Sequence, residues 1–287
     1  MRILLILAAA LALAAPADAQ MLVMDRDALV AFTSQNPFER FPDGRPNVPD
    51  PLLERLKEVT SEDAWGVLRR AGFRNQWEGG FRILHPGRKL VGRVVTAQFM
   101  PLRPDVNQVI DERAAKANLA RAQNERVIEL LQPGDVVVVD LFGKVENGTF
   151  VGSNLATAIF AQSRTGFVID GSVRDLEGIF EIPMAAYFRD VHPTPIGEVM
   201  LTGINIPVRI GGVTVMPGDV ALGDREGVTF IPPHLVQQIV ESAEATAIKD
   251  EFTQVKIKEG KHRIRDVYPM NEELQKEFEE WKKRRGK

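Results

Sequence analysis

The residues best suited to chemistry in this 287-residue chain lie in one run, GSNLATAIFAQSRTGFVIDGSVRD, from Gly152 to Asp175. Gly152, Ser153, Asn154 and Leu155 read as a glycine turn ahead of a helix, because Ala156, Ile159 and Phe160 follow at i, i+3, i+4 spacing. A turn at a helix N-terminus leaves backbone N–H groups free for a carboxylate or phosphate. At the far end, Arg174 offers a cation for an oxyanion and Asp175 a hard oxygen ligand for Mg²⁺ or Mn²⁺. If the helix folds back along the next strand, cradle, cation and metal ligand converge on a site for a small keto acid. The chemistry is then cleavage next to a ketone: a divalent ion polarises the 2-keto oxygen, and a neighbouring Arg stabilises the charge developing there. Such a site could expel an aldehyde or ketone by retro-aldol cleavage, or CO₂ from oxaloacetate, and both routes leave pyruvate enolate.

The elements that must position these groups are short. Gly166 is expected to stop the helix, Phe167, Val168 and Ile169 to form a buried strand, and Asp170-Gly171-Ser172 to turn the chain toward Arg174. A plainer reading stands beside each residue. Arg174 and Asp175 could simply pair at a strand end, Asp170 could serve only as a turn former, and His192 could be a hydrogen-bonded residue of the rigid His192-Pro193-Thr194-Pro195 loop. Asp224 and Glu226 sit in a polar turn, read as solvated. His85, His234 and His262 show no i, i+4 ligand spacing.

Further pieces follow in a set order: Pro133-Gly134-Asp135 before the run from Val136 to Asp140, Gly211-Gly212-Val213-Thr214-Val215 with Pro217-Gly218-Asp219, then Asp224, Gly227-Val228 and Ile231-Pro232. With the central run, this pattern resembles the RraA-like family. That family contains the class II 4-hydroxy-4-methyl-2-oxoglutarate (HMG) and 4-carboxy-4-hydroxy-2-oxoadipate aldolases, and its founding member inhibits ribonuclease E. The resemblance implies an α/β fold, a swivelling β/β/α domain here flanked by N- and C-terminal helical extensions. It also implies a homotrimer or hexamer with the site at the subunit interface. On the same ground Arg174 would be catalytic at the keto oxygen, Asp175 would hold Mg²⁺ or Mn²⁺, and the amides of Gly152, Ser153, Asn154 and Leu155 would bind the substrate carboxylate. One position departs. Family aldolases carry Asp or Glu twenty-one residues before the Arg, where this chain has Ser153. A usual Ser-Asp-Ala-Leu run is also replaced by Glu62-Asp63-Ala64-Trp65.

Around this centre, residues 1–19 read as a secretory signal: Arg2, an apolar run from Ile3 to Ala15, and a small-x-small site at Ala17-Asp18-Ala19. An uncleaved anchor is the alternative. Cleavage would make Gln20 the first residue of an exported, periplasmic protein with no membrane segment. Residues 20–51 are an N-terminal extension, expected to hold a short helix from Arg26 to Thr33 and to wrap the domain or a neighbouring subunit. Residues 52–250 form the RraA-like domain. Two helical pieces come first, the second capped by Thr60, then a strand from Leu90 to Phe99. A charged helix from Asp111 to Leu131, a hairpin tip at Asn147-Gly148 and a last amphipathic helix from Pro233 to Lys249 follow. Residues 251–287 form a C-terminal extension. Its helix, capped by Asn271, presents Leu274, Phe278 and Trp281 as one stripe for docking on the same or a neighbouring subunit.

Composition is that of a globular chain with an ample core: 44% hydrophobic, 26% charged, net charge −3. The charge argues against a nucleic-acid partner. The absence of cysteine excludes thiolate zinc sites and thiol nucleophiles. Three functions compete: a keto-acid lyase, a non-catalytic binding or regulatory protein of the cell envelope, and a methyltransferase. The third ranks last, because no glycine-rich nucleotide loop followed by an acidic ribose ligand is present.

Overall fold

A computed structural model describes residues 23–286. The expected signal sequence, residues 1–19, and its expected cleavage site lie outside the described residues. In chain order the elements are α1 (Arg26–Phe32), α2 (Asp50–Leu56), α3 (Ser61–Arg70), β1 (Trp77–Glu78), β2 (Arg82–Ile83), β3 (Leu90–Pro101), α4 (Pro104–Lys116), α5 (Gln123–Ile128), β4 (Asp135–Thr149), α6 (Ser153–Ser163), β5 (Gly166–Val173) and α7 (Leu176–Phe180). Then come β6 (Ala185–Val191), β7 (Val199–Ile204), β8 (Val208–Ile210), β9 (Val213–Val215), β10 (Val220–Gly223), β11 (Val228–Ile231), α8 (Val236–Lys258), α9 (Ile264–Val267) and α10 (Glu272–Arg284).

One sheet runs in the order β1-β11-β10-β3-β4-β5-β6-β2, with β7 also paired to β3. The four central strands β3, β4, β5 and β6 are parallel, and the flanking pairs are antiparallel. Parallel strands covered on both faces need apolar side chains in both directions. The valine run of β4 supplies them by strict alternation. Val137 and Val139 face a core closed by α4, α5, α6 and α7, while Val136 and Val138 face one closed by the β8–β9 hairpin, β10 and β11. A third core joins α2, α3 and α8 to β10 and β11. The fold is thus the mixed α/β architecture expected, with extra helices at both ends. Among the described residues no helix is long and apolar enough to cross a membrane.

Several local expectations change. Gly166 does not stop α6. Arg164 does, taking the left-handed conformation (φ 61°), while Gly166 begins β5. A Cβ at Gly166 would lie 1.7 Å from Ala185 O of β6, so glycine is what permits the strands to approach there. Asp170-Gly171-Ser172 is not a turn but the continuation of β5. Its polar groups are satisfied within the sheet: Arg189 Nε donates to Asp170 Oδ1 at 2.6 Å and Ser172 Oγ to Val145 O at 2.6 Å. Asn147-Gly148 is not a hairpin tip either. The second half of β4 leaves its register with β5 after Asp140 and returns at Lys144 and Thr149. The expected single helix from Asp111 to Leu131 is two helices, α4 and α5, separated at residues 117–122. α8 runs past Lys249 to Lys258, because no breaker stands before Gly260 (φ +67°).

The N-terminal segment wraps its own chain. Helix α1 forms where expected, and Arg45 and Val48 are fully enclosed. The stripe of α10 also docks on its own chain. Phe278 and Trp281 meet Phe252 of α8 at ring-centroid distances of 5.4 and 5.6 Å, and Asn271 accepts from Leu274 N as the cap. Deleting residues 271–287 would uncover Phe252, a nearly inaccessible aromatic. Burial of such a side chain is worth roughly 1.5–3 kcal/mol. The expected result is a melting temperature lower by several degrees in a thermal scan. An unchanged melting temperature would show that the stripe adds no stability.

Candidate active site

The C-terminal ends of β4 and β5 bring the chemistry-bearing residues together. Arg174 N donates to Val151 O at 3.0 Å, which ties the strand end to the chain entering α6. Asp175 then adopts a left-handed conformation (φ 59°) that reverses the chain into α7. This φ is uncommon for a residue other than glycine and better tolerated by Asp than by most. Ser153, the first residue of α6, donates its hydroxyl to Asp175 Oδ2, and Ser153 N donates to the same oxygen at 3.3 Å. Gly178 of α7 makes this possible, because a Cβ there would come within 2.7 Å of Ser153 Cβ.

Gly152, Ser153, Asn154, Leu155, Arg174 and Asp175 all line one open cavity of about 580 Å³, together with Glu125 and Pro193. The six residues read from the sequence therefore share a single site. Glu125 and Pro193 were missed. Glu125 belongs to α5, which Asn124 anchors beside β4 by donating to Phe150 O at 2.8 Å. Pro193 sits on the loop held by Asn147 N, which donates to Thr194 Oγ1 at 2.8 Å. Nothing local in the sequence marks either residue, since the contacts that place them span 26 and 47 positions.

Two roles need correction. The amide cradle is smaller than four residues, because Ser153 N is already engaged by Asp175. Among the described residues the amides of Gly152, Asn154 and Leu155 have no acceptor, the last two because a helix's first turn has none to offer; Ala156 N is the first to bond back, to Gly152 O at 3.0 Å. Arg174 and Asp175 do not form a direct ion pair. Among the described residues the Arg174 guanidinium has neither hydrogen-bond nor ion-pair partner, and it stands exposed at the cavity. The Ser153 hydroxyl, then the Ser153 amide and the charge of Arg174, hold Asp175 below the usual carboxylate range. Asp170 and His192 do not line this cavity. Asp170 is buried against Arg189, and His192 Nδ1 lies 2.9 Å from Thr194 Oγ1. Asp224 caps α3 by accepting from Ser61 N at 2.7 Å, well outside the site's lining. Trp65, at the departure from the usual Ser-Asp-Ala-Leu run, stacks under Arg69 at 5.1 Å, also outside it.

Among the described residues no three His, Cys, Asp or Glu side chains cluster as a metal cage. The donors that do line the cavity, the Asp175 and Glu125 carboxylates and the Asn154 amide oxygen, are all hard oxygens. Such a set fits Mg²⁺ or Mn²⁺ that keeps most of its waters and takes one or two carboxylates.

Residues 55–230 match the family described as RraA-like, Aldolase/RraA. The chain belongs to the RraA-like family. It is 29% identical over 177 residues to a Halalkalibacterium halodurans protein provisionally named 4-hydroxy-4-methyl-2-oxoglutarate aldolase, covering 60% of this chain and 81% of that one. It is also 29% identical over 107 residues to the 4-hydroxy-4-methyl-2-oxoglutarate aldolase of Thermus thermophilus, covering 37% of this chain and 65% of the other. Among solved structures it resembles Streptomyces coelicolor RraAS2, described as an unusual member of the RNase ES inhibitor RraA protein family. There the TM-score is 0.62 and the identity 28%, over 76% of this chain and 99% of that one. This RraA-like chain therefore has relatives named both as aldolases and as regulators.

Removing the hydroxyl at position 153 is expected to raise the acidity constant of Asp175 toward the ordinary carboxylate value. If Asp175 must be ionised, the acid limb of the kcat/KM profile of Ser153→Ala moves to higher pH. A pH–rate series on the two proteins checks this, and superimposable acid limbs would reject the role of Ser153.

Proposed function

We propose that this RraA-like protein is a divalent-metal-dependent lyase that splits a small 2-keto acid to pyruvate. The observation carrying this reading is the convergence of an unpaired Arg174, an ionised Asp175 and the free amides of Asn154 and Leu155 on one cavity. The amides of Asn154 and Leu155 hold the substrate carboxylate at the positive end of α6. Arg174 donates to the 2-keto oxygen and stabilises the negative charge that grows there. Asp175 would hold the divalent ion, which when bound would supply Lewis-acid polarisation, leaving the Glu125 carboxylate free for proton transfer. In retro-aldol cleavage the C4 hydroxyl loses its proton, with the Glu125 carboxylate as the candidate acceptor. The C3–C4 bond then breaks, its electron pair passes to C3 as pyruvate enolate, and C3 is finally protonated. In oxaloacetate the departing group is CO₂, with the same electron flow.

A non-catalytic binding or regulatory role is the second reading. Ser153 favours it, because the hydroxyl adds no negative charge for a metal and occupies one oxygen of Asp175. HMG cleavage and oxaloacetate decarboxylation, followed by coupled pyruvate detection with Mg²⁺ or Mn²⁺ and with EDTA, separate the two. Metal-dependent pyruvate release supports the lyase. No release above the metal-only background, from either the wild type or Ser153→Asp, leaves the binding protein. Ser153→Asp is expected to tighten Mn²⁺ binding, read directly by calorimetry. The same reading includes a trimer or hexamer, checked by light scattering, and export with a new N-terminus at Gln20, checked by intact mass from the envelope fraction.

A further inference from the structure

The chain builds the same turn twice. Pro133-Gly134-Asp135 and Pro217-Gly218-Asp219 each end on an Asp that accepts the N–H three residues back, Gln132 N at 3.0 Å and Met216 N at 2.9 Å. Both carboxylates are buried, at 0% and 3% exposure. They differ in what meets the rest of the carboxylate. Asp135 receives the fork of Arg45, with N···O distances of 3.1 and 3.4 Å. Among the described residues Asp219 receives no cation. Burial pushes its acidity constant up to about 7, opposed only by the Met216 N–H. A buried carboxylate without a partner is costly, and in this chain the equivalent turn shows what a matched one looks like.

Asp219 instead lines a cavity of about 320 Å³ between the N-terminal segment and the body of the fold. Its Oδ1 has no donor among the described residues. Among the described residues the fully enclosed side-chain polar atoms without a partner are Ser61 Oγ, Arg93 Nε, Asn205 Oδ1 and Thr229 Oγ1; Asp219 Oδ1 is not one of them, and Asp219 lies on the cavity lining. Phe73, Met216 and Pro233 supply apolar wall, and Thr33 and Gln76 supply polar rim. The other titratable group on the lining is His234, whose acidity constant burial lowers, so it is neutral at pH 8 and brings no compensating charge. Arg40 touches the rim but spends its guanidinium on Thr33 Oγ1, Thr33 O and Gly44 O. The volume falls at the small end of ligand sites, which run from about 300 to 1,000 Å³.

We propose that this cavity is a second binding site, separate from the Arg174–Asp175 site, for a small organic ammonium ion. The ammonium N–H groups meet Asp219 as the guanidinium of Arg45 meets Asp135, and the apolar body lies against Phe73 and Met216. Benzylammonium and its neutral isostere benzyl alcohol test this on the full-length chain without its signal, by calorimetry at pH 8. The expected result is at least tenfold tighter binding of benzylammonium. Asp219→Asn, which can still accept the Met216 N–H, should lower benzylammonium affinity to that of the alcohol. Thr214→Trp, at an exposed lining position, leaves Asp219 in place and should block both probes, so the test stands even if Asp219→Asn does not fold. Equal affinity of the two probes for the wild type, no binding of either, or undiminished benzylammonium binding by Asp219→Asn or Thr214→Trp would each overturn the proposal.

Discussion

Arg174→Ala is expected to lower the turnover of pyruvate release by roughly 10²–10³, the usual cost of removing one preorganised donor from a developing oxyanion. The expectation rests on the state of Arg174. Its guanidinium is not spent on Asp175 or on any other described residue, so its donors are available to the substrate. The backbone N–H to Val151 O and the packing of the side-chain stem against Gly152 fix where the group starts. Arg174→Lys should recover little, because an ammonium is a point charge without the planar fork. Because the side chain is exposed, its removal should leave the melting temperature almost unchanged. Direct Mn²⁺ binding should also persist, since the metal is assigned to Asp175. A loss of turnover smaller than about threefold, with binding and fold intact, would remove Arg174 from the chemistry.

The part of this site legible in the sequence is the part built from neighbours in the chain. The glycine turn, helix and Arg-Asp pair lie within one α–β unit, so spacing alone places them at one strand end. What was not legible lies at the contacts between units. Glu125 reaches the cavity through the packing of α5 on α6 and β7 and the bond of Asn124 to Phe150 O. Gly178 matters only because Ser153 approaches it from another helix. The misreadings have a common cause as well. Asp170-Gly171-Ser172 has turn-forming residues, yet Arg189, 19 positions away, satisfies the aspartate, and the segment stays in the sheet with a register shift against β6 between Ile169 and Ser172. Val136 to Val139 could be read correctly because burial on both faces needs no distant partner to be recognised. In the N-terminal segment the short helix was visible, whereas the ion pair that fastens the segment spans 90 positions.

That ion pair carries the largest expected effect on stability. Arg45 is 1% exposed and Asp135, at the head of β4, is 0% exposed. Arg45 also donates to Asp43 Oδ2 at 2.8 Å and stacks over Phe41 at 4.7 Å, so one side chain ties the N-terminal segment to the centre of the sheet. Arg93 reinforces the strap by donating to Val48 O at 2.6 Å and Pro133 O at 2.9 Å. Arg45→Met would keep most of the side-chain volume but strand a buried carboxylate. Breaking a buried pair from one side typically costs roughly 3–5 kcal/mol, a large share of the roughly 5–15 kcal/mol that holds a domain folded. Urea unfolding at pH 8 should show this loss. Burial already pushes the Asp135 acidity constant upward, with Arg45 as the main opposing charge. Without Arg45 the folded state therefore binds a proton more readily than the unfolded chain. The variant's deficit should be smallest in acid and grow as the pH rises through the Asp135 folded-state value. Arg45→Met with Asp135→Asn removes both charges and should recover most of the loss at pH 8, because the Asn can still accept the Gln132 N–H. A deficit that is independent of pH and unrelieved by the double substitution would mean that Arg45 acts through packing on Phe41 rather than through its charge.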